Sequence, residues 1–123
     1  MLKAAILSGN VSLASALLES RPRAAIPVFE QLAQYLPIAD AQVYLGVARQ
    51  RSGHNRLAEK HYLRALEIFG NIFPAKRMPE DWAMMDRATN GLVVLDKTKY
   101  EGLRAEVLRE VKQFGYKPIS KVK

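Results

Sequence analysis

Apolar positions along this chain recur three and four residues apart nearly everywhere, and no stretch shows the period-two alternation of β-branched residues that a half-buried strand requires. Helix-favouring Ala and Leu are abundant, and Gly, Pro and Asn punctuate the pattern. A short opening helix over about residues 2–8 stops at Gly9, and Asn10 caps a second helix reaching about Ser20. Arg21-Pro22-Arg23 reads as a turn, followed by a helix to Leu36 that tolerates Pro27 only within its first turn; Pro37 ends it. The next helix covers about Ala39–Arg51. Ser52-Gly53-His54-Asn55 is a turn, with Gly53 suited to the left-handed conformation and Asn55 capping a helix to about Phe69. Gly70-Asn71 stops that helix, and residues 71–79, with Pro74 and Pro79, form a longer loop. Helix returns over about Glu80–Leu95, its acidic start matching the helix dipole. Leu92-Val93-Val94-Leu95 is strand-like in isolation but continues this segment, so it reads as a buried helix end. Thr98 and Glu101 form a capping box for a last helix that Gly115 ends. The expectation is an all-α domain over residues 1–115 with a loose basic tail over 116–123.

Two of these segments match each other. Ala25, Phe29, Leu32 and Pro37 are repeated in spacing by Ala58, Tyr62, Ala65 and Gly70, each displaced by 33 residues. A period of this size marks stacked helix pairs, in which no single unit buries its own apolar face. The stretch Leu45-Gly46, Gly53, Ala58, Tyr62, Ala65-Leu66 resembles the tetratricopeptide repeat: a Leu-Gly pair, a turn glycine, then small, aromatic and small residues on a second helix. Small residues at 46, 58 and 65 let helices approach closely, and Tyr62 fills the space between units. Ala25-Ile26-Pro27-Val28-Phe29-Glu30 resembles another second helix, and Trp82 with Met85 resembles the start of a third repeat, displaced by about six residues at the 71–79 loop. The first repeat carries Ser12-Leu13 in place of Leu-Gly, and the third has Asp86 where glycine is expected.

The resemblance implies a right-handed superhelical array of about three antiparallel helix pairs, the last degenerate, whose first helices line a concave groove. Carried onto this chain, the groove presents Tyr44, Val47, Gln50 and Arg51 from one helix and Met84, Arg87 and Asn90 from the next. Arginine, tyrosine and methionine suit an interface; Val47 and Met84 serve equally as core. The implied function is that of a scaffold or adaptor holding a peptide or helix of another protein. Some relatives hold a partner's C-terminal carboxylate with lysine, arginine and asparagine, but Tyr44, Glu80 and Met84 stand at those positions here, which argues against that mode.

Charge changes the picture only in part. The chain carries a formal net charge of +7, with +4 in residues 40–78, −2 in 79–95 and +4 in 96–123. Arg56, Lys60 and Arg64 form a stripe at i, i+4 and i+8 that reads first as a solvated face paired with Glu59 and Glu67, and second as a nucleic-acid contact. Without interleaved aromatics it lacks a stacking surface for bases. His54 and His61 lack helical metal-pair spacing and read as exposed polar residues. No acid, serine or histidine falls into a catalytic spacing and there is no phosphate-binding glycine loop, so the expectation is no enzyme, no metal and no cofactor. The absence of cysteine fits a reducing cytoplasm. No apolar run approaches the ~20 residues of a membrane span. Residues 1–7 begin like a signal peptide, but Ser8-Gly9-Asn10 interrupts, and the pattern continues into Leu13, Leu17 and Leu18 as helix. The last helix places Leu103, Val107, Val111 and Phe114 on one side, fit to cap the stack. The remaining alternatives are a chaperone shielding an apolar segment and a homo-oligomer burying exposed array ends.

Overall fold

The computed structural model describes residues 13–33, 36 and 38–114. The opening helix, the Asn10 cap, the Pro37 and Gly115 stops and the basic tail lie outside them. The described residues form helices and no strand: α1 (13–20), α2 (Pro22–Leu32), α3 (Ile38–Arg51), α4 (Asn55–Gly70), a 3₁₀ turn (Pro74–Lys76), α5 (Pro79–Leu95) and α6 (Lys97–Gln113). Each helix packs against its neighbour in sequence from α2 to α6, and α3 also packs against α5.

Local chemistry explains the boundaries, including those the sequence reading misplaced. The break between α1 and α2 is a single residue, Arg21, rather than a three-residue turn. Pro22 takes the first helical position, where its missing N–H costs nothing. Pro27 consequently lies in the second turn, not the first. It withholds only the bond to the Arg23 carbonyl, and the burial of Ala25, Ile26, Phe29 and Leu32 holds the helix across that gap. The helix closes at Leu32, four residues earlier than expected, with the Ala33 and Leu36 amides donating to the Phe29 and Leu32 carbonyls. Gly53 has φ +83°, so the left-handed turn forms as expected. The cap of α4 is His54, however, and Asn55 is the first helical residue. At α5 the Asp81 carboxylate accepts from the Met78 amide at 2.9 Å. The expected Thr98–Glu101 box is replaced by Asp96, two residues earlier, which accepts from the Lys99 amide at 3.2 Å.

Three of the four pairs of positions 33 residues apart are equivalent in burial, and the fourth includes Pro37, which lies outside the described residues. Ala25, Phe29 and Leu32 are all buried, as are Ala58, Tyr62 and Ala65. Tyr62 is the largest fully buried side chain, and it sits between two glycines. A Cβ added at Gly46 would lie 2.6 Å from the Tyr62 ring, and one added at Gly91 would lie 2.5 Å from it on the far edge. Both are closer than carbon atoms can approach, so α3 and α5 reach this ring only because neither has a side chain there. Beyond α5, α6 buries Tyr100, Val107 and Val111, while Phe114 stacks on Trp82 at 5.9 Å. Arg77, over the Trp82 ring at 4.8 Å, bonds the Ile72 carbonyl and Glu110, tying the 71–79 loop to α6. Arg104 reaches back to Asp86 at 2.8 Å and to the buried Thr89.

Gly46→Ala should destabilise the fold by roughly 1–3 kcal/mol, the usual cost of overpacking. In a Tyr62→Ala background the same change should be neutral or favourable by up to ~1 kcal/mol, because only helix propensity remains. Urea unfolding of the four proteins in this cycle measures the coupling, and additive costs would show that the ring is not the obstacle.

Candidate functional site

Helices α3 and α5 run side by side in the same direction. Asp40 faces Glu80 and Asp81 near their starts, Tyr44 lies under Arg87 further along, and Gln50 reaches the Gly91 carbonyl near their ends. Towards those ends a cleft of about 290 Å³ opens between them. The buried Tyr62 and Gly91 close its floor. Val47, Gln50 and Arg51 form one side, and Arg87, Asn90 and Val94 the other.

The floor is polar and satisfied within itself. The Tyr62 hydroxyl donates to Gln50 Oε1 at 2.6 Å, and Gln50 Nε2 donates to the Gly91 carbonyl at 3.3 Å. Burial pushes the Tyr62 phenol up to about 12, against the opposing pull of Arg87 and Arg51, which both face it. The rim is cationic. Arg51 donates to the Leu18 carbonyl at 3.2 Å and to the exposed Glu19 carboxylate at 3.0 Å, spanning from α3 to the end of α1. Arg87 lies over the Tyr44 ring at 5.7 Å, and Tyr44 in turn stacks on Phe29 at 5.1 Å with planes 2° apart. No carboxylate pairs with Arg87 among the described residues. At the other end of the same helix pair, burial and the nearby charges of Asp81 and Glu80 raise the Asp40 carboxyl above the usual aspartate range. The α3–α5 face therefore has an acidic end and a basic end.

Of the seven residues the sequence reading placed on a groove, Val47, Gln50, Arg51, Arg87 and Asn90 line this cleft together. Tyr44 supports Arg87 from beneath and Met84 is partly buried against the core; neither lines the cleft. Sequence reasoning missed Gly91 and Val94 and read Tyr62 as filler alone. Val94 was foreseeable, since it follows Arg87 and Asn90 at helical spacing, but it was read as part of a buried helix end and is 69% exposed.

The other candidates resolve differently. Arg56, Lys60 and Arg64 are exposed on α4, and Arg64 pairs with Glu67 at 3.2 Å as expected. Glu59 turns away from the stripe to Lys99 and the Tyr100 hydroxyl, fastening α4 to α6. Neither histidine is exposed, contrary to expectation. His54 sits 3.3 Å from Arg49, and half-buried His61 pairs with Gln42 at 2.7 Å. Burial and the charge of Arg49 hold His61 below its usual range. Among the described residues no helix is long and apolar enough to cross a membrane, and no group of histidines and acids is arranged to hold a metal. Comparison with protein-family models, curated proteins and solved structures finds no match.

The raised Asp40 carboxyl gives a signed expectation. Protonation is easier in the folded chain than in the unfolded one, so its contribution to stability is full below about pH 3.9 and lost as pH rises through the folded value. At pH 7 the ionised group is a cost. Asp40→Asn should therefore raise the urea midpoint at pH 7, with the gain fading towards pH 4. An equal or lower midpoint at pH 7 would show that the helix dipole outweighs burial and repulsion there.

Proposed function

We propose that the chain is a protein-binding adaptor or scaffold module, built as a tetratricopeptide-like superhelical array of about three helix pairs with the last degenerate, that takes a peptide or partner helix along the α3–α5 cleft. The observation that carries this reading is the cleft itself: apolar Val47 and Val94 beside two guanidinium groups, over a floor whose own polar groups are already bonded. A floor of this kind is fixed before a partner arrives, which lowers the ordering cost of binding. The volume, at the small end of ligand sites, suits one or two side chains of a macromolecule better than a cofactor. The equivalent burial of three pairs of positions 33 residues apart, and the close approach at Gly46, support the repeat reading.

Catalysis has little to work with here. The cleft's polar side chains are two arginines, two amides and a phenol whose pKa is near 12, none of which accepts a proton at neutral pH. The alternative of a nucleic-acid module rests on the exposed Arg56–Lys60–Arg64 stripe of α4, a helix that gives the cleft only the buried Tyr62.

A photo-crosslinking residue at position 90 and another at position 56 separate the two readings. In cell lysate, position 90 should capture a discrete protein and position 56 should not. Arg51→Glu with Arg87→Glu should reduce that capture at least about tenfold. Capture of nucleic acid from position 56, with nothing at position 90, would replace the cleft reading with the basic stripe.

A further inference from the structure

We infer that the partner segment is acidic, setting an aspartate or glutamate carboxylate between Arg51 and Arg87 with short apolar side chains against Val47 and Val94. The inference rests on the reading of the cleft as a protein-binding surface and names the chemistry of what enters it.

The hydrogen-bonding inventory leads there. Arg51 and Arg87 can only donate. The Tyr62 proton is spent on Gln50, and the Gln50 amide is spent on Tyr62 and Gly91. The remaining side-chain acceptors are few, namely the Asn90 carbonyl and the spare lone pairs of the Tyr62 and Gln50 oxygens in the floor, against the many N–H donors of two guanidinium groups. The open cleft thus offers an excess of charged donors, and a group rich in acceptors complements it best; a carboxylate between guanidinium groups is such a group. The chain already shows the contact in miniature. Glu19 reaches Arg51 at 3.0 Å while itself 77% exposed, so an intramolecular carboxylate occupies one of the two cations at little energetic depth. Among the described residues no carboxylate pairs with Arg87, and the Phe29–Tyr44 stack fixes it from below.

Phosphate is the competing anion, and the surroundings disfavour it. Tyr62 is buried and Tyr44 is stacked on Phe29, so neither offers a face to a base. Asp40, Glu80 and Asp81 stand at the other end of the same helix pair and would repel a phosphate backbone continuing along it. A peptide tolerates this polarity and gains from it if it carries a basic residue about two or three helical turns from its acid.

The test is selection of a phage-displayed library of random 12-residue peptides on the full chain. The winning peptide's affinity is then measured by fluorescence anisotropy for the native chain, Glu19→Gln, Val94→Asp, and Arg51→Glu with Arg87→Glu, each checked for helicity by circular dichroism. The expected winners carry Asp or Glu beside small apolar residues and lose at least about tenfold in affinity on the double reversal. Glu19→Gln, which removes the internal competitor, should tighten binding about two- to fivefold. Winners without acid enrichment that still lose affinity on Val94→Asp would overturn the acidic partner and leave the cleft reading standing. If no peptide is selected, the cleft reading falls and this inference with it. A mixed 12-nucleotide single strand that binds the native chain and is lost on the double reversal would assign the arginines to phosphate instead.

Discussion

The ring of Tyr62 fixes the distance between three helices. It projects from α4 into a gap that α3 and α5 leave by carrying glycine at 46 and 91, and either glycine replaced by any other residue would drive a carbon into the ring. The contact is both apolar and directional. The ring is wholly buried, while its hydroxyl is held by Gln50, whose amide in turn holds the backbone at Gly91. Because the hydroxyl is bonded, the ring enters the core without the penalty of a buried unpaired group. Sliding the ring would also break the hydroxyl's bond to Gln50. The cleft above it inherits that rigidity, since Val47, Gln50 and Arg51 follow Gly46 within little more than a turn, and Arg87, Asn90 and Val94 bracket Gly91.

The stacking of charges on rings extends the same organisation in both directions. On one side Phe29, Tyr44 and Arg87 form a column crossing from α2 through α3 to α5, which converts the burial of Phe29 into the placement of a cation at the cleft rim. On the other, Arg77 covers Trp82 and meets Glu110 with its own side chain only 5% exposed. An ion pair this sheltered contributes less through net attraction than through the cost of separating it, so it fixes where α6 sits more than how tightly. Glu59, Lys99 and Tyr100 add a second attachment from α4. The final helix is therefore positioned by polar contacts at both ends of a modest apolar seam of Tyr100, Val107 and Val111.

Much of this was legible in the chain, and the failures have physical causes. The breakers located α3, α4 and α5 to within a residue because each helix there begins or ends at Gly, Pro or a charged first turn, signals that act locally. The 33-residue spacing identified Ala25, Phe29, Ala58, Tyr62 and Ala65 as core for the same reason that they are buried: small and aromatic residues alternate where helices touch. The caps were less legible. Asp96 rather than Thr98, and His54 rather than Asn55, precede the first turns of their helices, because the register of a helix start depends on where the preceding helix packs as well as on which polar residue is available. Pro27 was misplaced for a similar reason: tertiary burial of its neighbours outweighs the lost hydrogen bond, and propensity cannot report burial. The groove residues on α3 and α5 were readable from the resemblance, but their division was not. Whether Tyr44 faces a partner or carries Arg87 depends on the position of Phe29 across a helix boundary, a contact no spacing reveals.

The polarity of the α3–α5 face follows in part from an ordinary feature of helices. Acids at 40, 80 and 81 sit in the first turns of two parallel helices, where each dipole favours negative charge, and Arg51 sits in the last turn of α3, where it favours positive charge; Arg87 stands midway along α5 and is placed by Tyr44 instead. The acids and Arg51 are each favoured within their own helix. Laying the helices in parallel brings like charges together, and the Asp40 carboxyl is raised first by burial and further by the repulsion this creates at one end. At the other end Arg51 is relieved by Glu19 and, among the described residues, Arg87 by the face of Tyr44 alone. A partner of opposite polarity would relieve both ends at once, so the electrostatic cost the isolated chain carries is the same quantity that would favour association.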